Sequence, residues 1–176
     1  MKTLSILLLA GLLVLVAFRL RAGKGGPDRT CVRMFDLSRY LGTWYEIARF
    51  DVRFERGLDR VEATYELRPD GLISVRNSGT DTRTGRRRTA TGKARLTKVP
   101  GRLRVSFFWI FYADYNVLEL GGEYDWALVG SRSAKYLWIL SRTPELPKET
   151  FLHILQLARR RGYDTDRLLR VDQSEE

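Results

Sequence analysis

Gly42-Thr43-Trp44 opens an apolar run, and far downstream Arg142 follows Trp138-Ile139-Leu140-Ser141. This pairing constrains the fold most strongly, because it asks the first strand of a sheet to return to the last. A glycine lets the backbone enter a strand tightly. The tryptophan brings a large apolar body that calls for burial. The planar guanidinium of a distant arginine can stack on the indole face, a contact of ~0.5–2 kcal/mol. A sheet whose ends meet in this way is closed.

Between these residues, short β-rich runs recur at near-regular intervals with turn residues between them, the spacing of an antiparallel sandwich or barrel. The runs are Trp44–Phe54, Val61–Leu67, Leu72–Ser78, Thr89–Thr97, Leu103–Phe108, Tyr115–Leu120, Tyr124–Gly130 and Tyr136–Arg142. Arg68-Pro69-Asp70-Gly71 is a turn with a mechanism, since proline presets φ and Asp-Gly accepts a positive φ. The period then changes. Phe151, Ile154, Leu155 and Ala158 fall at i, i+3, i+4 and i+7, the apolar stripe of a helix. Pro147 and Glu149 suit its start and Gly162 its stop. A last run, Leu168–Val171, can add an edge strand. An all-β, eight-stranded antiparallel up-and-down barrel with a C-terminal α-helix packed outside fits this order, and such a barrel can enclose one small ligand. A sandwich without a cavity fits the periodicity equally.

Alternation sharpens the barrel reading. If Arg142 points inward to meet Trp44, residues of like parity (Leu140, Trp138 and Tyr136) also point inward. Trp138 then offers an indole N–H to the interior. Leu137 and Ile139 face outward, beneath the helix.

The residue inventory excludes much chemistry. A single cysteine, Cys31, rules out an intrachain disulfide framework, and a single histidine, His153, argues against a His/Cys metal site or a Ser-His-Asp triad. No metal or cofactor is expected. His153 lies off the apolar stripe and reads as a surface residue. The net charge of +10 invites a nucleic-acid or anionic-membrane partner. Part of it belongs to Lys2, Arg19, Arg21 and Lys24, which precede any acidic residue. Arg86-Arg87-Arg88 reads as a hairpin arm, and Arg159-Arg160-Arg161 as a helix end where cations complement the macrodipole; both read mainly as solvated faces. The aromatics sit inside apolar strands rather than among the basic runs, so nucleic acid is not an expected partner.

Leu4–Phe18 is a signal-peptide core, short for a bilayer span of ~20 residues. Basic residues follow it and no Ala-x-Ala site is evident, so it also reads as a poorly cleaved anchor. Residues 1–30 are accordingly a signal or anchor segment with a Gly/Pro-rich linker, and residues 31–176 one domain. Cys31 follows Asp28-Arg29-Thr30, not the small and aliphatic residues that precede a lipid-modified cysteine. Envelope targeting is the expected destination, in the periplasm or at a membrane, the outer membrane included.

Tyr40 to Phe50, Arg53 to Leu58, Tyr124 to Val129 and Tyr136 to Pro144 together resemble the lipocalin family, in its bacterial branch related to apolipoprotein D. The resemblance runs from about Asp36 to the C-terminus. It marks Gly42, Trp44 and Arg142 as the structural signature and implies that Tyr65, Asn77, Phe107, Tyr115 and Trp138 line a pocket. It further implies a non-enzymatic carrier that holds a fatty acid or lysophospholipid for storage or transport, in membrane maintenance under stress. It admits a homodimer and a membrane association as further partners. Two other readings stand beside it. One is a membrane-surface or partner-binding barrel without a dedicated ligand. The other is a lipocalin-fold enzyme acting on a lipophilic substrate, with Asp114 and Glu119 as the carboxylates nearest the rim.

Overall fold

Backbone conformation decides where β1 (Gly42–Phe50) begins. Gly42 has a φ of 93°, a region that side-chain-bearing residues enter only at a cost. A Cβ there would also stand 3.4 Å from the Arg142 guanidinium. A single-turn helix, α1 (Leu37–Tyr40), delivers the chain to this point, capped by the Asp36 carboxylate on the Ser38 amide.

The computed structural model describes residues 25–108 and 110–174. After β1 come β2 (Leu58–Leu67), β3 (Ile73–Asp81), β4 (Arg87–Leu96) and β5 (Arg102–Phe108). The chain continues through β6 (Phe111–Leu120), β7 (Trp126–Gly130) and β8 (Leu137–Ser141). A helix, α2 (Lys148–Arg160), and a short strand, β9 (Leu168–Arg170), complete the fold. From β1 to β8 each strand pairs antiparallel with the next, and β1 pairs with both β2 and β8, so eight strands close into an up-and-down barrel. β1 gives residues 42–45 to β2 and residues 48–50 to β9, which takes over the edge where β2 diverges. The leader reading of Leu4–Phe18 falls outside the described residues.

Two strand boundaries differ by four residues from those expected, and the others by three or fewer. β1 stops at Phe50 rather than Phe54, because residues 51–57 turn back on themselves: the Glu55 amide donates to the Val52 carbonyl, and the Leu58 amide to the Glu55 carbonyl. β6 begins at Phe111 rather than Tyr115, and Phe108 pairs directly with Phe111. The sequence there is apolar and carries no Gly, Pro, Asn or Asp, the residues that usually betray a tight turn.

Two apolar cores divide the side chains. Inside the lower barrel lie Tyr40, Trp44, Val75, Leu103, Val129 and Leu140. Between the outer wall and α2 lie Ile47, Leu128, Leu137, Ile139, Ile154 and Ala158. Strand alternation assigns the two sets. At β1 it is interrupted by a bulge, since Glu46 pairs with Leu140 and Ala48 with Ile139, leaving Ile47 as the extra residue. Beyond the bulge, Arg49 faces the interior that Trp44 and Glu46 face before it. α1 and the β2–β3, β4–β5 and β6–β7 turns lie at one end of the barrel; the other four connections lie at the opposite end.

Candidate functional site

The end of the barrel at α1 is closed by residues that bond to each other. The Trp44 indole donates to the Tyr40 carbonyl at 2.8 Å, and the Arg142 guanidinium stacks on that indole, 3.8 Å from a ring centroid. Arg142 also donates to the carbonyls of Thr43 at 2.8 Å, Leu41 at 2.9 Å, Arg39 at 2.6 Å and Tyr124 at 3.2 Å. One planar fork thus satisfies backbone acceptors on α1, on β1 and in the β6–β7 turn. Above this floor the hydroxyls of Tyr40 and Tyr115 share a hydrogen bond of 2.6 Å, and Tyr65 donates to Tyr115 at 3.0 Å. Burial pushes all three phenols up, Tyr65 to about 12, so the floor is neutral.

A cavity of about 710 Å³ opens above the tyrosines, within the ~300–1,000 Å³ range of small-molecule sites. Tyr65, Asn77, Phe107, Tyr115 and Trp138 all stand in its wall, and Tyr136 and Leu140 join Trp138 there. Gly42, Trp44 and Arg142 stand outside it, in the closed end. The wall is mostly apolar. One polar atom in it is conspicuous: Asn77 Oδ1 is buried and has no hydrogen-bond partner, a state that costs ~1–3 kcal/mol until something donates to it. Trp138 is different from the expectation. Its N–H does not face an empty interior but donates to Glu55 Oε2 at 3.0 Å.

That bond leads to a group of residues the sequence reading did not single out. Arg49, with 6% of its side chain exposed, donates to Glu46 Oε1 at 2.8 Å and lies 4.0 Å from Glu55 Oε2. It also donates to the carbonyls of Glu55 at 2.8 Å and Leu58 at 3.0 Å, pinning the loop at the open end. Both carboxylates line the cavity. Parity from Trp44 could have pointed to Glu46, two residues on. The bulge hides Arg49, and Glu55 sits in a loop with no period to read.

Two buried carboxylates share one guanidinium, so one of them keeps a proton at neutral pH. Burial raises Glu46 to about 8, Glu55 adds to the rise, and Arg49 opposes it; burial also raises Glu55. A carboxyl raised in the folded state favours folding below its unfolded value and loses that contribution as pH climbs toward the folded one. Stability is therefore expected to fall between about pH 4.5 and 8, by ~2–4 kcal/mol from this group. Glu46→Gln keeps an acceptor for Arg49 and removes the titration. Urea midpoints from pH 5 to 9 should decline less steeply in the variant than in the wild type, Glu55 alone then supplying the remaining slope; parallel curves would contradict the assignment.

Other candidates resolve differently. Asp114 lines the cavity but is ion-paired with Arg104 at 3.3 Å. Glu119 lies outside the barrel, where it accepts from Arg161 at 2.8 Å. Arg161 is not a solvated helix end. Its side chain turns inward to the carbonyls of Leu118 and Thr30, tying α2 to β6 and to the segment before α1. His153 is exposed on α2, its ring edge-on to Trp126. Cys31 is buried, and burial pushes its thiol up.

Known proteins share this architecture and sequence. The chain matches the lipocalin-like domain over residues 35–173. It is 51% identical over 146 residues to the outer membrane lipoprotein Blc of Escherichia coli strain K12, covering 82% of each chain. Outer membrane lipoprotein Blc of Vibrio cholerae is 42% identical over 165 residues, 92% of this chain and 96% of that one. Among solved structures, insecticyanin from the tobacco hornworm Manduca sexta superposes with a TM-score of 0.71 at 22% identity, over 86% of this chain and 87% of that one.

Proposed function

The chain belongs to the lipocalin family, and from that premise we propose that it is a non-catalytic lipid carrier of the cell envelope. Its ligand is a fatty acid or a lysophospholipid, held in the barrel for storage or transport in membrane maintenance. The observation that carries this reading is the cavity. It is deep, mostly apolar, floored by neutral phenols and open at one end, which suits an acyl chain entering tail first. With Glu46 protonated and Arg49 offsetting Glu55, the ionic cluster has no net charge at neutral pH and does not repel an anionic ligand. The names of the Escherichia coli and Vibrio cholerae relatives support an envelope location.

Mass spectrometry of lipid retained by the native protein, with titration of long-chain fatty acid and lysophospholipid against tryptophan emission, tests the reading. Retained or titrated lipid is expected at micromolar affinity or better. No lipid in repeated preparations, and no quenching by either class, would count against it. Asn77 supplies a finer check, because its unpartnered oxygen waits for a donor. Asn77→Leu should raise stability by ~1–3 kcal/mol, since a costly buried acceptor is gone. Affinity for a ligand whose hydroxyl or ammonium donates there should fall roughly 5–10-fold, the worth of one such bond. Equilibrium unfolding and the same titration read both effects.

A further inference from the structure

We propose that the β5–β6 hairpin is an arm that docks the open end of the barrel on an anionic lipid bilayer, so that an acyl chain passes from leaflet to cavity without crossing water. The proposal rests on the carrier reading for its cargo and on separate observations for the docking.

The arm outruns β7. Among the described residues, β5 pairs with β4 over Leu103–Ser106 and β6 pairs with β7 from Asn116 onward. The β5–β6 ladder runs on to the Phe108–Phe111 pair, with residues 111–115 of β6 lying beyond the last β7 pairing. At ~3.3 Å per residue, it projects roughly 15–20 Å beyond the last β7 pairing. Its end is apolar: Ile110 is 75% exposed, Phe111 74% and Phe107 41%. Around the rim, Phe54 is 64% exposed and stacks on Tyr136, which stacks in turn on Trp138 inside the cavity. Isolated exposed apolar residues need no explanation, but a cluster of large ones on a projecting element marks an interaction surface.

Continuity and charge select the occupant. Phe54, Phe107 and Phe111 belong both to the exposed rim and to the cavity wall, so the apolar surface runs unbroken from tip to interior. The loops at this end, residues 51–57, 82–86 and 131–136, carry Arg53, Arg56, Arg83, Arg86, Arg132 and Lys135 against Asp51 and Glu55. Of those two acids, Glu55 is buried and Asp51 is paired with Arg56. The turns at the closed end, residues 68–72, 97–101 and 121–125, are balanced, with Arg68 and Lys98 against Asp70, Glu123 and Asp125. An apolar tip ringed by cations complements anionic head groups over hydrocarbon. A second copy of the chain would set the same cations against themselves.

Spin labels at Ile110→Cys and, as a control, Asp70→Cys in the closed-end turn, each in the full chain with Cys31→Ser, test the docking directly. With vesicles of equal parts phosphatidylglycerol and phosphatidylcholine, the label at position 110 should lose collisions with a water-soluble nickel chelate and gain them with oxygen. The label at position 70 should not, even if the N-terminal segment anchors the chain. On pure phosphatidylcholine the insertion should weaken several-fold. A label at position 110 that stays as wet as that at 70 overturns the proposal and leaves the tip to a protein partner or a second copy. Equal insertion on both vesicle types overturns the role of the cations. Ile110→Glu should slow transfer of a fluorescent fatty acid from vesicle to protein at least tenfold, with its affinity in solution within twofold of wild type. Unchanged transfer overturns the loading route. Absence of binding in solution counts against the carrier reading instead, and the label at position 110 still decides the docking.

Discussion

Arg142→Ala is expected to lower the unfolding free energy by roughly 3–5 kcal/mol while leaving the ligand preference intact. The guanidinium stacks on Trp44 and donates to the carbonyls of Arg39, Leu41, Thr43 and Tyr124. The cation–π contact contributes ~0.5–2 kcal/mol. Each partly buried carbonyl left without a donor costs up to ~1–3 kcal/mol where water cannot reach it. Part of the site is solvent-accessible, which moderates the total. Arg142→Lys should recover little, because one ammonium cannot span acceptors on both sides of the closure. Gly42→Ala should share the defect, for its methyl would enter a positive-φ position against the same guanidinium. Equilibrium unfolding in urea reads the loss, and lipid titration on the folded fraction reads the preference. A shift under 1 kcal/mol, or a changed ligand order with stability intact, would move Arg142 from closure to binding.

The second large effect is at the other end of β1. Arg49→Met removes the cation between Glu46 and Glu55 and leaves two buried carboxyls facing each other. Breaking a buried pair by deleting one partner typically costs ~3–5 kcal/mol. The cost here is expected to depend on pH. Without Arg49 both carboxyls, already raised by burial, rise further. The stability they contribute when protonated is lost over a pH range that extends higher than in wild type. The deficit of the variant should therefore be small near pH 4 and largest at pH 8 and above. Some deficit persists throughout, since Arg49 also holds the Glu55 and Leu58 carbonyls. Adding Glu46→Gln and Glu55→Gln should recover most of the pH-dependent part. Denaturation of the three proteins at pH 4, 6 and 8 separates the two contributions; a deficit independent of pH would show that the lost packing, not the charge, dominates.

Much of the pocket was legible because strands alternate. Once Arg142 is turned toward Trp44, the inward positions of Leu140, Trp138 and Tyr136 follow from a period of two, as does the burial of Leu137 and Ile139 under α2. What alternation cannot report is the partner each inward side chain finds. Trp138 spends its N–H on Glu55, a loop residue far away in sequence. Asn77 finds no donor for its side-chain oxygen, which stays unpartnered. The projecting arm was illegible for another reason. Phe107 reads as an ordinary strand residue and Ile110 and Phe111 fall between two runs; only the early end of the β7 ladder and the exposure of Ile110 and Phe111 reveal a projecting tip.

Strand order, the helix that follows and the closure of the barrel through Gly42, Trp44 and Arg142 are all written in the linear chain. Those features rest on local periods, on turn chemistry and on a residue pair specific enough to name the family. Tertiary structure alone decided the chemistry of the interior. Glu46 and Arg49 stand an odd number of residues apart, so an unbroken strand would place them on opposite faces. One extra residue, Ile47, shifts the register between β1 and β8 and turns both inward. A bulge is a property of how two strands pair, and neither strand carries it alone. The ionic cluster above the tyrosine floor exists because of it.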